Sequence, residues 1–196
     1  MATPEYLAAM LVQNPVDKHV SHFSFLQCAE CSRRYHPGEV NTYAVCEKCN
    51  GNPLISGYEN VVGEPWELID SGERSMWRYF PLLPVSSTDN VVSLGEGFTP
   101  LLPLKNLGKR EGLRQLSLKD EGFNPTGSFK ARGMSVAISR ARELGIERCI
   151  VPTAGNAGGA MAAYCAKAGI EAVVVMPEHT PEVFKAECRL YGAKLI

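Results

Sequence analysis

The sequence predicts an α/β chain with a small cysteine-rich module ahead of part of a parallel βαβ domain. Three observations predict it. Cys28, Cys31, Cys46 and Cys49 form two CxxC pairs. From Lys130 onward, stretches of helical period stop at glycines and alternate with short apolar runs. Two loops of small and turn-forming residues, Asn124 to Gly127 and Thr153 to Gly159, lie at the expected helix starts. The expected division is residues 1–60, containing the cysteine module at 28–52, and residues 61–196.

The elements are justified in order. Pro4 to Val12 suits a short helix. Cys28 to Asn52 spells CAEC and CEKC with 14 residues between the pairs. Two knuckles at this spacing read as a four-thiolate structural zinc site, a zinc-ribbon-like module. Each pair can wrap one side of a tetrahedral ion, with a short hairpin between them and Gly51 in the turn beyond the second. Iron in a rubredoxin-like site would use the same ligands. Free thiols and disulfides are the other readings. His36 lies between the knuckles and reads as a surface residue. Pro53 to Val92 is expected to be irregular. Trp66 and Trp77 argue against a loose linker there, and for a stretch that wraps the module onto the domain that follows.

Leu116 to Lys119 suits a strand leading into Asn124 to Gly133, NPTGSFKARG. This segment delivers Lys130 to the first turn of a helix. A lysine so placed can form a Schiff base with a carbonyl compound. A solvated lysine at a helix start is the alternative, although the helix dipole disfavours a cation there. Met134, Ala137, Ile138, Ala141 and Leu144 recur at helical spacing, and Gly145 stops the helix. Cys149 to Val151 is the next strand. Thr153, Ala154, Gly155, Asn156 and Ala157 then lead into a helix that ends at Gly169. The glycines let a ligand approach the backbone, and the helix start favours anionic or hydroxyl groups. A tight turn that binds nothing is the alternative. Ala172 to Met176 is a second buried strand. Thr180 is expected to cap a third helix with Pro181 at its first position. Ala193 to Ile196 is a third strand. Cys149, Cys165 and Cys188 read as small core hydrophobes.

Composition narrows the function. The chain has 196 residues, 45% hydrophobic and 21% charged, in the range of ordinary globular domains. Its formal net charge of −1 offers no footprint for nucleic acid or for a membrane surface. No apolar run approaches the roughly 20 residues of a membrane-spanning helix. Glu5 and the absence of arginine before Arg33 do not fit a signal or transit peptide. A cytoplasmic setting with reduced thiols is expected.

Taken together, GSFKARG followed by TAGNAGG resembles fold type II of the pyridoxal-phosphate enzymes, the tryptophan-synthase-like group. Ser93 to Leu101, SLGEGFTPL, resembles the entry motif of the threonine synthases. The resemblance covers residues 92–196. A zinc ribbon ahead of these motifs is similar to a subset of threonine synthases. The resemblance implies that Lys130 holds the cofactor covalently and then serves as general acid and base. It implies that Asn156 hydrogen-bonds the cofactor ring hydroxyl, and that Thr153 to Ala157 receive a substrate carboxylate. The Lys130 amine should then be buried beside Asn156. The implied reaction converts O-phospho-L-homoserine and water to L-threonine and phosphate. Ala131 stands where many threonine synthases carry aspartate, and Ala154 removes a hydroxyl from the loop. Those departures keep a threonine or serine ammonia-lyase open as an alternative. A non-catalytic zinc-ribbon protein with a decayed enzyme half is a third reading. By resemblance the fold continues well beyond Ile196, where it carries the phosphate loop. The 196 residues are therefore expected to be a front portion, inactive alone, with a small amino-acid substrate and a homodimer when complete. Lys194 to Ile196 would then be an interior strand.

Overall fold

A computed structural model describes residues 17–39, 45–61, 64 and 66–196. The helix expected over Pro4 to Val12 lies outside the described residues. The chain divides into two compact units: residues 1–71 with 79–86, and residues 72–78 with 87–196.

The first unit is built on a three-stranded antiparallel sheet. Strand β1 (Phe23–Cys28) lies between β2 (Arg34–Tyr35) and β3 (Leu54–Tyr58). Leu26 faces Tyr35 on one side and Ser56 on the other. β3 falls in the stretch expected to be irregular. Its short LISGY run alternates only weakly, so periodicity did not reveal it. The two CxxC knuckles are the same turn. In each, the first cysteine's carbonyl accepts the amide four residues on: Ser32 to Cys28 at 3.0 Å and Asn50 to Cys46 at 2.7 Å. In each, the residue after the second cysteine is left-handed, Ser32 at φ 59° and Asn50 at φ 62°. Such a turn aims amides and thiols into one concavity. Cys28, Tyr35 and Cys46 are buried there, with Leu26, Cys31 and Leu54 packed around them.

The second unit opens with a two-stranded antiparallel ribbon, β4 (Leu101–Pro103) against β5 (Ser117–Lys119), spanned by helix α1 (Lys105–Arg110). Helix α2 (Lys130–Glu143) follows, then β6 (Arg148–Pro152), α3 (Asn156–Ala168), β7 (Glu171–Val175), α4 (Glu182–Leu190) and β8 (Lys194–Leu195). β6, β7 and β8 form a parallel sheet in that order. β7 is therefore the central strand of the three. β5 pairs with the ribbon rather than joining the parallel sheet.

The core lies between α2, α3, α4 and one face of that sheet. Ala131, Ile138, Ala141, Met161, Tyr164, Cys165, Val174 and Cys188 fill it. α3 is buried continuously from Gly158 to Cys165, as a helix apolar on all sides must be. Gly158 is required by close approach. A Cβ there would sit 2.8 Å from Met176 and 2.9 Å from both Thr153 and Val174. Ala137 in α2 is exposed and Leu144, just past its end, is 39% exposed, so the apolar stripe is narrower than the sequence suggests. Ser135 and Ser139 are buried in their place. Thr180 does not cap α4. The helix starts beyond Pro181 with no side-chain cap, and Thr180 Oγ1 is buried without a partner.

Candidate active site

The lysine loop is shaped by short-range turns. Asp120 caps a 3-10 turn over Glu121–Phe123 by accepting from Gly122 N. A second turn, Pro125–Gly127, closes on Asn124, with Gly127 N donating to Asn124 O at 2.9 Å. Thr126 is left-handed at φ 61°. A β-branched residue there stores strain of about 1–3 kcal/mol, a feature that clusters at functional sites. Lys130 then opens α2. Its ammonium lies 4.5 Å from the centroid of the Phe129 ring and makes no ion pair among the described residues.

The second loop follows β6. Thr153 N donates to Val175 O at 2.9 Å, and Gly155 N donates to Thr153 Oγ1 at 3.2 Å. Asn156 is the first residue of α3, whose N-cap, Gly155, supplies no side-chain cap. The Asn156 side chain makes no hydrogen bond among the described residues. α2 packs along α3, and the Pro125–Gly127 turn packs against α3. The structure thus brings the lysine loop and Thr153 to Ala157 to one helix pair. One expectation needs correction. Lys130 and Asn156 are both exposed, and Phe123 and Phe129 beside the lysine are 71% and 58% exposed. None of the described residues covers this edge of α2, so the amine is not buried. Ala131, the departure from aspartate, is fully buried in the core. Ala154 is exposed.

Two carboxylates that the sequence reading passed over organise the surroundings. Glu121 accepts from Arg132 Nε at 2.7 Å and from its terminal nitrogen at 2.9 Å. It also accepts from Thr99 Oγ1 at 2.8 Å and Asn124 Nδ2 at 2.8 Å. The Arg132 guanidinium, helped by Thr99 and Asn124, holds its carboxyl down to about 2. Asn124 Oδ1 accepts from Gly97 N at 3.1 Å, and Lys119 Nζ donates to Thr99 O at 2.6 Å. SLGEGFTPL and NPTGSFKARG are therefore fastened to each other. Glu96 is the second carboxylate and is fully buried. The available sequence signal was a charged residue inside an otherwise small-residue motif.

In the first unit, one ligand atom from each of Cys28, Cys31, Cys46 and Cys49 lies within 4.8 Å of the others. Cys28 Sγ is 3.6 Å from Cys49 Sγ, and Cys31 Sγ is 3.5 Å from Cys46 Sγ. Tetrahedral sites with metal–sulfur bonds of about 2.3 Å place sulfurs about 3.8 Å apart, so the set fits. Tyr35 OH lies 3.0 Å from Cys46 Sγ and holds that thiol down to about 6, while accepting from Glu47 N. Sequence reading missed Tyr35. His36 is exposed, as expected.

The chain is similar to known proteins. The family model for pyridoxal-phosphate dependent enzymes matches residues 92–196. A threonine synthase of Methanocaldococcus jannaschii is 41% identical over 175 residues, covering 87% of this chain and 42% of that protein. A threonine synthase of Methanosarcina acetivorans is 38% identical over 173 residues, with the same coverage of 87% and 42%. One of Halalkalibacterium halodurans is 44% identical over 128 residues, covering 62% of this chain and 36% of that protein. The chain therefore spans about two-fifths of the length of the curated relatives it matches most extensively. Over more than half its length, with the lysine loop, the asparagine loop and the entry motif in sequence, the chain belongs to the pyridoxal-phosphate-dependent enzymes.

Proposed function

We propose that this chain supplies the lysine and substrate-loop side of a threonine synthase, acting on O-phospho-L-homoserine and water to give L-threonine and phosphate. The observation that carries the reading is the packing of α2, which begins at Lys130, along α3, which begins at Asn156. The similarity to curated threonine synthases supports the substrate.

The residues present fit pyridoxal phosphate. Thr126 Oγ1 and Ser128 Oγ, both just ahead of Lys130 in the chain, are buried without hydrogen-bond partners among the described residues. The start of α3 lacks a side-chain cap. These are groups available to a polar ligand. The bound cofactor supplies an electron sink for charge developing at the substrate α-carbon. Lys130 Nζ would hold the cofactor aldehyde carbon and, once the substrate amine has displaced it, would be the free amine that takes the proton from the substrate α-carbon and returns protons along the chain. Lysine suits this role because its primary amine can both bond a carbonyl carbon and carry a proton. Asn156 orients the cofactor through its ring hydroxyl. The amides of Thr153 to Ala157 and the α3 N-terminus hold the substrate carboxylate. Glu121 and Arg132 fix the first turn of α2, so that Lys130 starts from one position.

Cys28, Cys31, Cys46 and Cys49 hold zinc in this reading. Closed by four thiolates, the ion stabilises the fold and has no open coordination position for catalysis. A homodimer in the cytoplasm is the setting we propose for the complete protein. Among the described residues no helix is long and apolar enough to cross a membrane.

The test offers the full-length protein O-phosphohomoserine and, separately, threonine. Phosphate release with threonine formation supports the proposal. Release of 2-oxobutanoate from threonine alone would replace it with an ammonia-lyase. Metal analysis of the same sample should return one zinc per chain, and iron in its place would revise the metal assignment.

A further inference from the structure

Glu96 has no part in the chemistry above, yet it is fully buried and makes no ion pair among the described residues. Five groups surround its carboxylate. Trp77 Nε1 donates to Oε1 at 2.9 Å, and Ser135 Oγ lies 2.5 Å from the same oxygen. Tyr164 OH donates to Oε2 at 2.6 Å, Leu94 N at 2.9 Å and Ser93 Oγ at 3.3 Å. Burial, together with the contact with Glu96, pushes the Tyr164 hydroxyl far up from its ordinary value. The backbone of Glu96 joins in, its carbonyl accepting from Met76 N at 2.7 Å. A buried carboxylate is costly unless its hydrogen bonds are complete, and each partner here holds the others in place.

The partners come from the two helices that matter. Ser135 is five residues into α2 from Lys130, and Tyr164 is eight residues into α3 from Asn156. At 1.5 Å per residue, the carboxylate grips α2 about 7 Å below its start and α3 about 12 Å below its start. A tilt of about 5° at the grip would move Lys130 by roughly 0.7 Å and Asn156 by roughly 1 Å. A misplacement of about 1 Å at a reacting group can cost on the order of a hundredfold in rate.

We propose that Glu96 is a positioning residue, the clamp that sets the separation of Lys130 and Asn156 by tying the entry motif to α2 and α3 at once. The inference rests on the cofactor reading given above. Loss of the clamp acts on cofactor binding through geometry, not through a direct contact.

The experiment measures pyridoxal phosphate affinity by absorbance titration of the full-length apoprotein. It compares wild type, Glu96→Gln, Tyr164→Phe, Asn156→Ala and the double variant Glu96→Gln with Asn156→Ala. Glu96→Gln should weaken cofactor binding at least tenfold, and Tyr164→Phe, which removes one donor, about threefold. The double variant should bind no more weakly than about twofold below Asn156→Ala, because both changes act through one geometry. A general loss of stability would give effects that multiply, and that result overturns the proposal. So does unchanged affinity in both Glu96→Gln and Tyr164→Phe. If Glu96→Gln does not fold, Tyr164→Phe combined with Asn156→Ala carries the same comparison. A wild type that shows no cofactor absorbance overturns the cofactor reading itself, and this clamp with it.

Discussion

Replacing Glu121 by glutamine gives the most quantitative test of how the lysine loop is held. The carboxylate is held from its ordinary 4.5 down to about 2, chiefly by the Arg132 guanidinium. That displacement corresponds to roughly 3.5 kcal/mol as an upper bound, at about 1.4 kcal/mol per pH unit. The Arg132 and Glu121 side chains are 31% and 27% exposed, and water screens part of the attraction. About 1–2 kcal/mol of folding stability is the realistic share. Because the folded carboxyl binds its proton less readily than the unfolded one, this stability is complete above about pH 4.5. It declines as pH falls and is gone below about 2. Urea unfolding of the full-length protein should therefore show Glu121→Gln less stable by about 1–2 kcal/mol at pH 7. The gap should shrink to less than half by pH 3. A gap equal at pH 7 and pH 3, or a glutamine variant as stable as wild type, would refute the ion-pair argument.

Three further outcomes follow from the geometry. Gly158→Ala pushes a methyl group against Met176, Thr153 and Val174. It should cost about 1–3 kcal/mol in thermal or urea unfolding and weaken cofactor binding by displacing the α3 start. Cys46→Ser should lose stoichiometric metal and remove the protected amides of β1 and β3 in hydrogen exchange, since a structural metal contributes directly to folding. Tyr35→Phe keeps the four thiols but removes the hydroxyl beside Cys46. Its zinc affinity in competition with a chromophoric chelator should fall about tenfold or more.

Much of the site was legible because its signals are local. Lys130 and Asn156 stand at helix starts, as the turn residues before them predict. The strands at 148–152 and 171–175 follow apolar runs, and the knuckles follow cysteine spacing. What escaped was non-local. Glu96 meets Tyr164 across 68 residues, and Thr99 meets Glu121 across 22. No periodicity encodes such a pairing. Ser135 and Ser139, which the sequence reading passed over, are buried because Glu96, the Val92 backbone and the α2 backbone satisfy them. β3 escaped because a five-residue strand with a glycine carries little pattern. The exposed state of Lys130 escaped because burial depends on which residues pack over a helix edge, not on the helix itself.

The most direct measurement is borohydride reduction of the full-length protein saturated with pyridoxal phosphate, followed by peptide mass mapping. The account predicts a single pyridoxyl phosphate adduct on Lys130 and none in a Lys130→Ala protein, which should also be colourless. An adduct on any other lysine, with Lys130 unmodified, would contradict it.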